Sequence, residues 1–142
     1  MSDKLPPMIL VVEPNKLLNA NVCNTIERSC FNVTRVLNTD IAIRVAKTVI
    51  PHVAVISSKI QGQSASELAV SLRKIPALQN LPIVFLLESG ESAKNCTLAN
   101  DNRVELLFRP FTPNNLISSI KTLLRKATVS YTHLTLPTIL LV

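Results

Sequence analysis

Ser57 stands at the end of a short apolar run, Val53 to Ser57, which leads into the polar loop KIQGQ and a helical pattern beginning at Ser64. A run of that kind reads as a buried strand that delivers its last residue to its carboxyl end. In open α/β sheets, sites form at the carboxyl ends of the strands. Glu13 follows a second such run, Met8 to Val12. A serine hydroxyl is a poor nucleophile without a base, and no histidine is placed to help, because His52 opens the Ser57 strand at its far end. Cys23 and Cys30 fall on one predicted helix. Their Cα atoms are then roughly 10.5 Å apart along the axis, beyond the ~7 Å that a disulfide tolerates. Cys96 stands alone, and no Cys/His cluster has zinc spacing. With only Gly62 and Gly90 in the chain, there is no glycine-rich phosphate loop. The Ser64 and Glu67 pair has the spacing of a helix cap rather than of a catalytic dyad.

The elements that must position Glu13 and Ser57 follow from hydrophobic period. MILVV (8–12) is a buried strand ended by Pro14. Asn15 caps a helix to about Ser29, with Leu18, Val22 and Ile26 on one face. FNVTRVL (31–37) alternates and is rich in β-branched residues, as a strand should be. Thr39 is the expected cap of a helix over 40–50, with Ile43, Ala46 and Ile50 inward. After the Val53 strand, Ser64 and Glu67 start a third helix with Leu68, Leu72 and Ile75 inward, and residues 76–81 form a loop. PIVFLL (82–87) is a fourth strand, 91–100 a weaker fourth helix, and VELLF (104–108) a fifth strand. Thr112 caps a fifth helix to Lys126 that carries Leu116, Ile120, Leu123 and Leu124.

Strand and helix thus alternate five times, which predicts an α/β fold. It is a flavodoxin-like, doubly wound (βα)5 domain with a parallel five-stranded sheet covered on both faces. Right-handed crossovers give the strand order 2-1-3-4-5, with the site at the switch between strands 1 and 3. Glu13 and Ser57 then sit side by side at the carboxyl ends of adjacent central strands.

Composition agrees with one globular domain. Of 142 residues, 47% are hydrophobic and only 4% aromatic, so the core must be Leu, Ile, Val and Ala. The net charge is +6, but no basic run exceeds two residues, which reads as a solvated basic surface rather than a nucleic-acid patch. No apolar run reaches membrane-spanning length, and MSDKLPPM lacks the order of a signal peptide, so the cytoplasm is the expected location.

Residues 8–126 resemble the receiver domain of a two-component response regulator, related to the chemotaxis receiver. ILVVEPN resembles its first strand and acidic turn, PHVAVISSKIQG its phosphoacceptor strand and loop, and PIVFLLESG its fourth strand. LLFRPFTPNNL resembles its fifth strand, the Lys-Pro-Phe turn and the final helix, and is the most specific of these motifs. The resemblance makes Pro110 a cis-peptide candidate. It also implies a signalling partner such as a histidine kinase or an output domain, and a possible homodimer through the fourth helix, fifth strand and fifth helix. Nucleic acid would be bound only through a further domain.

The functional positions depart from that pattern. Where the family has two adjacent acids, this chain has Glu13 and Pro14. The phosphoacceptor Asp falls on Ser57, the fourth-strand Thr or Ser on Leu87, the aromatic switch on Leu106 and the Lys on Arg109, while Gly62 is retained. Phosphotransfer to Asp needs a carboxylate nucleophile and Mg²⁺, which prefers octahedral oxygen ligands including carboxylates. The resemblance thus leaves one carboxylate, Glu13, against one cation, Arg109, so the pocket is expected to sum to zero charge. The expectation is a degenerate pseudo-receiver that has lost Mg²⁺ binding, uses no cofactor, is not an enzyme, and works through protein contacts independently of phosphorylation. The alternatives are a phosphorylatable receiver, or the amino-terminal receiver of a truncated DNA-binding regulator. In domain terms, 1–7 is an extension and 8–127 the receiver-like unit. Residues 128–142 are a tail whose VSYTHLTLPT resembles translated sequencing-adaptor sequence and is expected to be non-native.

Overall fold

Asn15 begins the first helix by accepting the Leu18 N–H on Oδ1 at 3.0 Å, satisfying one of the amides that a helix start leaves without a partner. The computed structural model describes residues 6–58, 64–88 and 101–126. In chain order these form β1 (Met8–Val12), α1 (Lys16–Arg28), β2 (Asn32–Val36), α2 (Thr39–Val49), β3 (Val53–Ser57), α3 (Ala65–Arg73), a 3-10 turn (Pro76–Leu78), β4 (Ile83–Leu87) and β5 (Val104–Phe108). A helix over 113–126 follows. The helix expected over 91–100 and the tail after 127 lie outside the described residues.

The five strands are all parallel and lie in the order β2-β1-β3-β4-β5. Every residue of β3 and β4 is buried, whereas the edge strands β2 and β5 are partly open. That is why VAVIS and IVFLL are continuous apolar runs and NVTRV is not. Strand alternation divides the core in two. Leu10, Val12, Ala54, Ile56, Phe85 and Leu87 pack against α2 and α3 through Ala42, Ala46, Leu68 and Leu72. Ile9, Val11, Val53, Val55, Val84 and Leu86 pack on the other face against Val22, Cys23 and Ile26 of α1 and Leu116, Ile120 and Leu123 of the 113–126 helix.

Three local expectations are corrected. Asn38, not Thr39, caps α2, accepting the Ile41 N–H at 2.9 Å. The buried stripe of α2 is accordingly Ala42 and Ala46, with Ile43 partly buried. Ile50 is not inward: it is 39% exposed and takes the left-handed conformation at φ 52° that ends α2. Pro51 follows it, and a residue before proline is disfavoured in the helical region, so the helix stops there and the side chain swings outward. Residues 76–78 form a 3-10 turn instead of an open loop, with Pro76 in its first position and Leu78 buried beneath it. At the start of α3, Ser64 and Glu67 form the reciprocal cap that their spacing indicates, and Thr112 accepts the Asn115 N–H at 3.1 Å at the start of the last helix. Among the described residues no helix is long and apolar enough to cross a membrane.

Candidate functional site

Parallel register carries the site residues to one end of the sheet. Val12 pairs with Ile56 across β1 and β3, so Glu13 and Ser57 are the next residues on neighbouring strands. Both are buried, at 4% and 2% exposure. Glu13 is held from three sides. Its N–H donates to Val36 O at 3.1 Å. Carboxylate Oε2 accepts the Asn15 N–H at 3.0 Å, and Oε1 accepts from Arg109 Nη2 at 3.1 Å. Asn15 therefore ties Glu13 by its backbone and starts α1 by its side chain.

Arg109 reaches this point from the end of β5. Its N–H donates to Leu87 O at 2.8 Å, extending the β4–β5 ladder by one residue. Its side chain is 19% exposed and meets two carboxylates, Glu13 and Glu88, the latter with Nε 3.2 Å from Oε2. Nε makes no hydrogen bond. The Glu88 arm is thus close enough for charge attraction but out of line for a hydrogen bond, and the Glu13 arm has both. The guanidinium also lies 5.4 Å from the centre of the Phe111 ring, a cation–π distance. The Arg109–Pro110 peptide is cis.

Glu88 corrects the charge balance. The sequence reading set Glu13 against Arg109 and summed to zero. With Glu88, two carboxylates and one guanidinium meet in the pocket among the described residues. Its position was legible, because Glu88 follows β4 as Glu13 follows β1, at the same end of the sheet.

Leu87 and Leu106 lie on the opposite face of the sheet from Val53, Val55 and Leu86, packed with the α2 and α3 core. Neither offers a polar atom to a ligand. Pro14 follows Glu13 into the turn before α1 and carries no side-chain donor or acceptor. His52 accepts the Met8 N–H on Nδ1 at 2.9 Å, which fixes it at the start of β1, the far end of the sheet.

One residue of this region was missed. Asn19 is buried on α1, and its Nδ2 donates to Glu13 O at 3.1 Å and to Val36 O at 3.0 Å. Its Oδ1 accepts from Cys23 Sγ at 3.2 Å. Asn19 thereby joins the carboxyl ends of β1 and β2 to the helix beneath them. The signal was an amide on the apolar stripe that holds Val22, Cys23 and Ile26. Burial pushes the Cys23 thiol up, against the opposing pull of a hydrogen bond and the charge of Arg35, so Cys23 remains a thiol and is no nucleophile.

Beside the pocket, a groove of about 370 Å³ opens between α1 and the turn after β5, lined by Leu18, Val22, Arg109, Pro110, Phe111 and Leu116 among others. Arg109 belongs to both pocket and groove, but Ser57 does not line the groove. Among the described residues, no three His, Cys, Asp or Glu side chains gather in a metal-binding arrangement.

No family model matches the chain. It is 27% identical over 121 residues to the phosphate regulon transcriptional regulatory protein PhoB of Rhizobium meliloti (strain 1021), a match covering 85% of this chain and 53% of that protein. It is 23% identical over 118 residues to PhoB of Escherichia coli (strain K12), covering 83% and 52%. The chain therefore spans about half the length of the curated relatives it matches. A response regulator receiver protein from Sinorhizobium medicae superposes at a TM-score of 0.74 with 24% identity, covering 84% of this chain and 95% of that one. The receiver domain protein from Clostridium thermocellum superposes at 0.78 with 18% identity, covering 87% and 98%. The chain has the receiver fold. The order of its sheet and the placement of Glu13 and Ser57 at the β1/β3 switch are those expected of a receiver. At such identities the likeness of solved structures carries the fold alone.

Proposed function

We propose that this receiver is a signalling module of a two-component phosphorelay that acts through protein contacts without being phosphorylated. The observation that carries this reading is the state of Glu13. Both of its carboxylate oxygens already accept hydrogen bonds, from Arg109 and from the Asn15 N–H. Around it, the nucleophile position has the neutral hydroxyl of Ser57, and Pro14 and Leu87 contribute no oxygen ligand.

The family's Mg²⁺ does not fit this donor set. The ion needs oxygen ligands in near-octahedral array, anchored by one or two carboxylates. Here both oxygens of the carboxylate beside Ser57 are engaged, and Glu88, the other carboxylate of the pocket among the described residues, lies beside the same guanidinium. No step is therefore routed through a metal. A serine at residue 57 would have to lose its proton to attack a phosphoryl donor, and the one described histidine, His52, is at the opposite end of the sheet.

The partner is a protein of the same signalling pathway, such as a histidine kinase or an output domain. Part of the homodimer surface suggested by sequence falls at 91–100, outside the described residues. A second reading is supported by one observation: the relatives are named transcriptional regulatory proteins and are about twice as long as the matched segment. On that reading the receiver precedes an output domain, and the genomic sequence beyond codon 127 tests it.

Incubation of the full chain with acetyl phosphate and Mg²⁺, followed by intact-mass measurement, tests the main reading. The expected outcome is no added phosphoryl group. A stoichiometric adduct on any residue would overturn it.

A further inference from the structure

We propose that β2 is an association edge at which two copies of this chain pair antiparallel, strand to strand, about a two-fold axis at Thr34. β2 lies at the opposite side of the sheet from β5, so this surface is distinct from the homodimer surface suggested by sequence. The inference goes beyond the reading above and does not rest on it.

Three observations carry it. First, β2 ends the sheet and is not guarded. It is as long as the buried strands β3 and β4. Guarded edges are very short, or carry proline or lysine. NVTRV has neither, and it is rich in the β-branched residues that pair well. Second, the bonds to β1 fix which peptide groups face outward. Asn32 N–H donates to Pro7 O, and Val36 O accepts the Glu13 N–H, so both residues turn toward β1. Alternate residues of a strand turn to opposite sides, so Val33 and Arg35 turn their N–H and C=O groups to the open edge. Third, apolar side chains flank the end of this strand in solvent: Leu37 is 36% exposed and Ile41 is 43% exposed.

These groups select a second copy as the occupant, in one register. Two identical edges pair antiparallel only where outward residues meet outward residues. With the axis at Thr34, Val33 faces Arg35 of the second copy and exchanges both main-chain hydrogen bonds with it. Phe31 faces Leu37 of the second copy, one apolar side chain against another. The two Thr34 residues meet as the close, non-hydrogen-bonded pair on the axis. The arginines are then diagonal to each other and each lies opposite a valine. An axis at Arg35 would oppose two guanidinium groups directly, which is destabilising. An axis at Val33 would leave Val36 past the end of the facing strand. Such a pair is isologous, so it consumes the edge and stops at two copies.

The experiment combines sedimentation of the full chain at rising concentration with a cysteine placed on the axis. In this register the two Thr34 Cα atoms are about 4.5 Å apart, within the ~4.4–6.8 Å that a disulfide spans. Thr34→Cys is made in a chain carrying Cys30→Ser and Cys96→Ser, since Cys23 is buried. Ser118→Cys, at an exposed position of the last helix, is the collision control in the same background. The wild-type mass is expected to double with concentration. T34C should oxidise to a covalent dimer with unchanged circular dichroism, well before S118C does. Arg35→Pro removes an outward N–H and no bond to β1, and it should lose the dimer while keeping its circular dichroism. A wild-type chain that stays monomeric at every concentration would overturn the proposal. So would a T34C that cross-links no faster than S118C, or a dimer that persists in folded R35P. If R35P does not fold, the comparison of T34C with S118C decides alone.

Discussion

Asn19 shows how much one buried side chain can carry. It satisfies two carbonyl groups, Glu13 O and Val36 O, at a point where water does not reach. Replacing it by Ala leaves Glu13 O without that donor, while Val36 O keeps the Glu13 N–H, and a buried acceptor deprived of its partner costs about 1–3 kcal/mol. Asn19→Ala should therefore lower stability by about 2 kcal/mol, read as a shift of the urea midpoint. A loss of only a few tenths would mean that the amide is incidental. Cys30 makes the opposite case. It takes φ 68° just after α1 and donates its N–H to Glu27 O at 3.0 Å. A left-handed conformation costs a residue with a Cβ about 1–2 kcal/mol, and glycine adopts it freely but loses more chain entropy on folding. Cys30→Gly should thus stabilise by about 0.5 kcal/mol, with the same helix content by circular dichroism.

Between elements, the Arg73 contacts act away from the Glu13 end. Arg73 closes α3 and donates from Nε and Nη2 to Leu81 O, at 3.1 and 2.9 Å, and from Nη1 to Asp101 Oδ2 at 2.7 Å. One side chain thus joins a helix end to the segments that enter β4 and β5. Hydrogen bonds to charged groups contribute roughly 1.5–3 kcal/mol, so Arg73→Ala should cost about 2 kcal/mol. Asp101 gives this contact a pH dependence. Burial alone would raise its carboxyl. The Arg73 hydrogen bond, the Arg103 N–H and the charges of both arginines outweigh that and hold it below the ordinary carboxylate range. The unfolded chain then binds the proton more readily, so this contribution is complete above about pH 4, the ordinary range for Asp, and is lost as pH falls through the lower folded value. Asp101→Asn should be less stable at neutral pH and should flatten that part of the acid limb. A parallel acid limb in both proteins would contradict it.

For the whole molecule, the sheet was legible because its central strands are buried on both faces, and burial on both faces writes a continuous apolar run into the sequence. Glu13 beside Ser57 followed from strand order alone. What stayed hidden depended on contacts between distant segments. Glu88 was legible at the end of β4, but its approach to Arg109 from a different strand end was not. The α2 cap shifted by one residue because Asn38 and Thr39 are both competent caps, and a single hydrogen bond decides between them. Ile50 has the spacing of an inward residue, and only the left-handed turn before Pro51 takes it out. The segment after residue 127 lies outside the described residues, and its composition still gives a prediction. If it is adaptor-encoded, truncation after Ala127 should leave stability within about 0.5 kcal/mol, the range for changes away from packed features. A fall of the urea midpoint worth several kcal/mol would make the segment part of the domain.

The central claim is that this pocket neither takes a phosphoryl group nor recruits a divalent ion. The most direct test is a set of ¹H–¹⁵N spectra of the full chain, recorded with no addition, with Mg²⁺, and with Mg²⁺ plus acetyl phosphate. The amides of Asn15, Ser57, Ser58, Leu87, Glu88 and Arg109 surround the pocket and report on both events at once. The account predicts that their cross-peaks stay in place at each stage, beyond uniform ionic-strength drift. Saturable shifts centred on Ser57 and Arg109, with Mg²⁺ alone or with the phosphoryl donor, would contradict it.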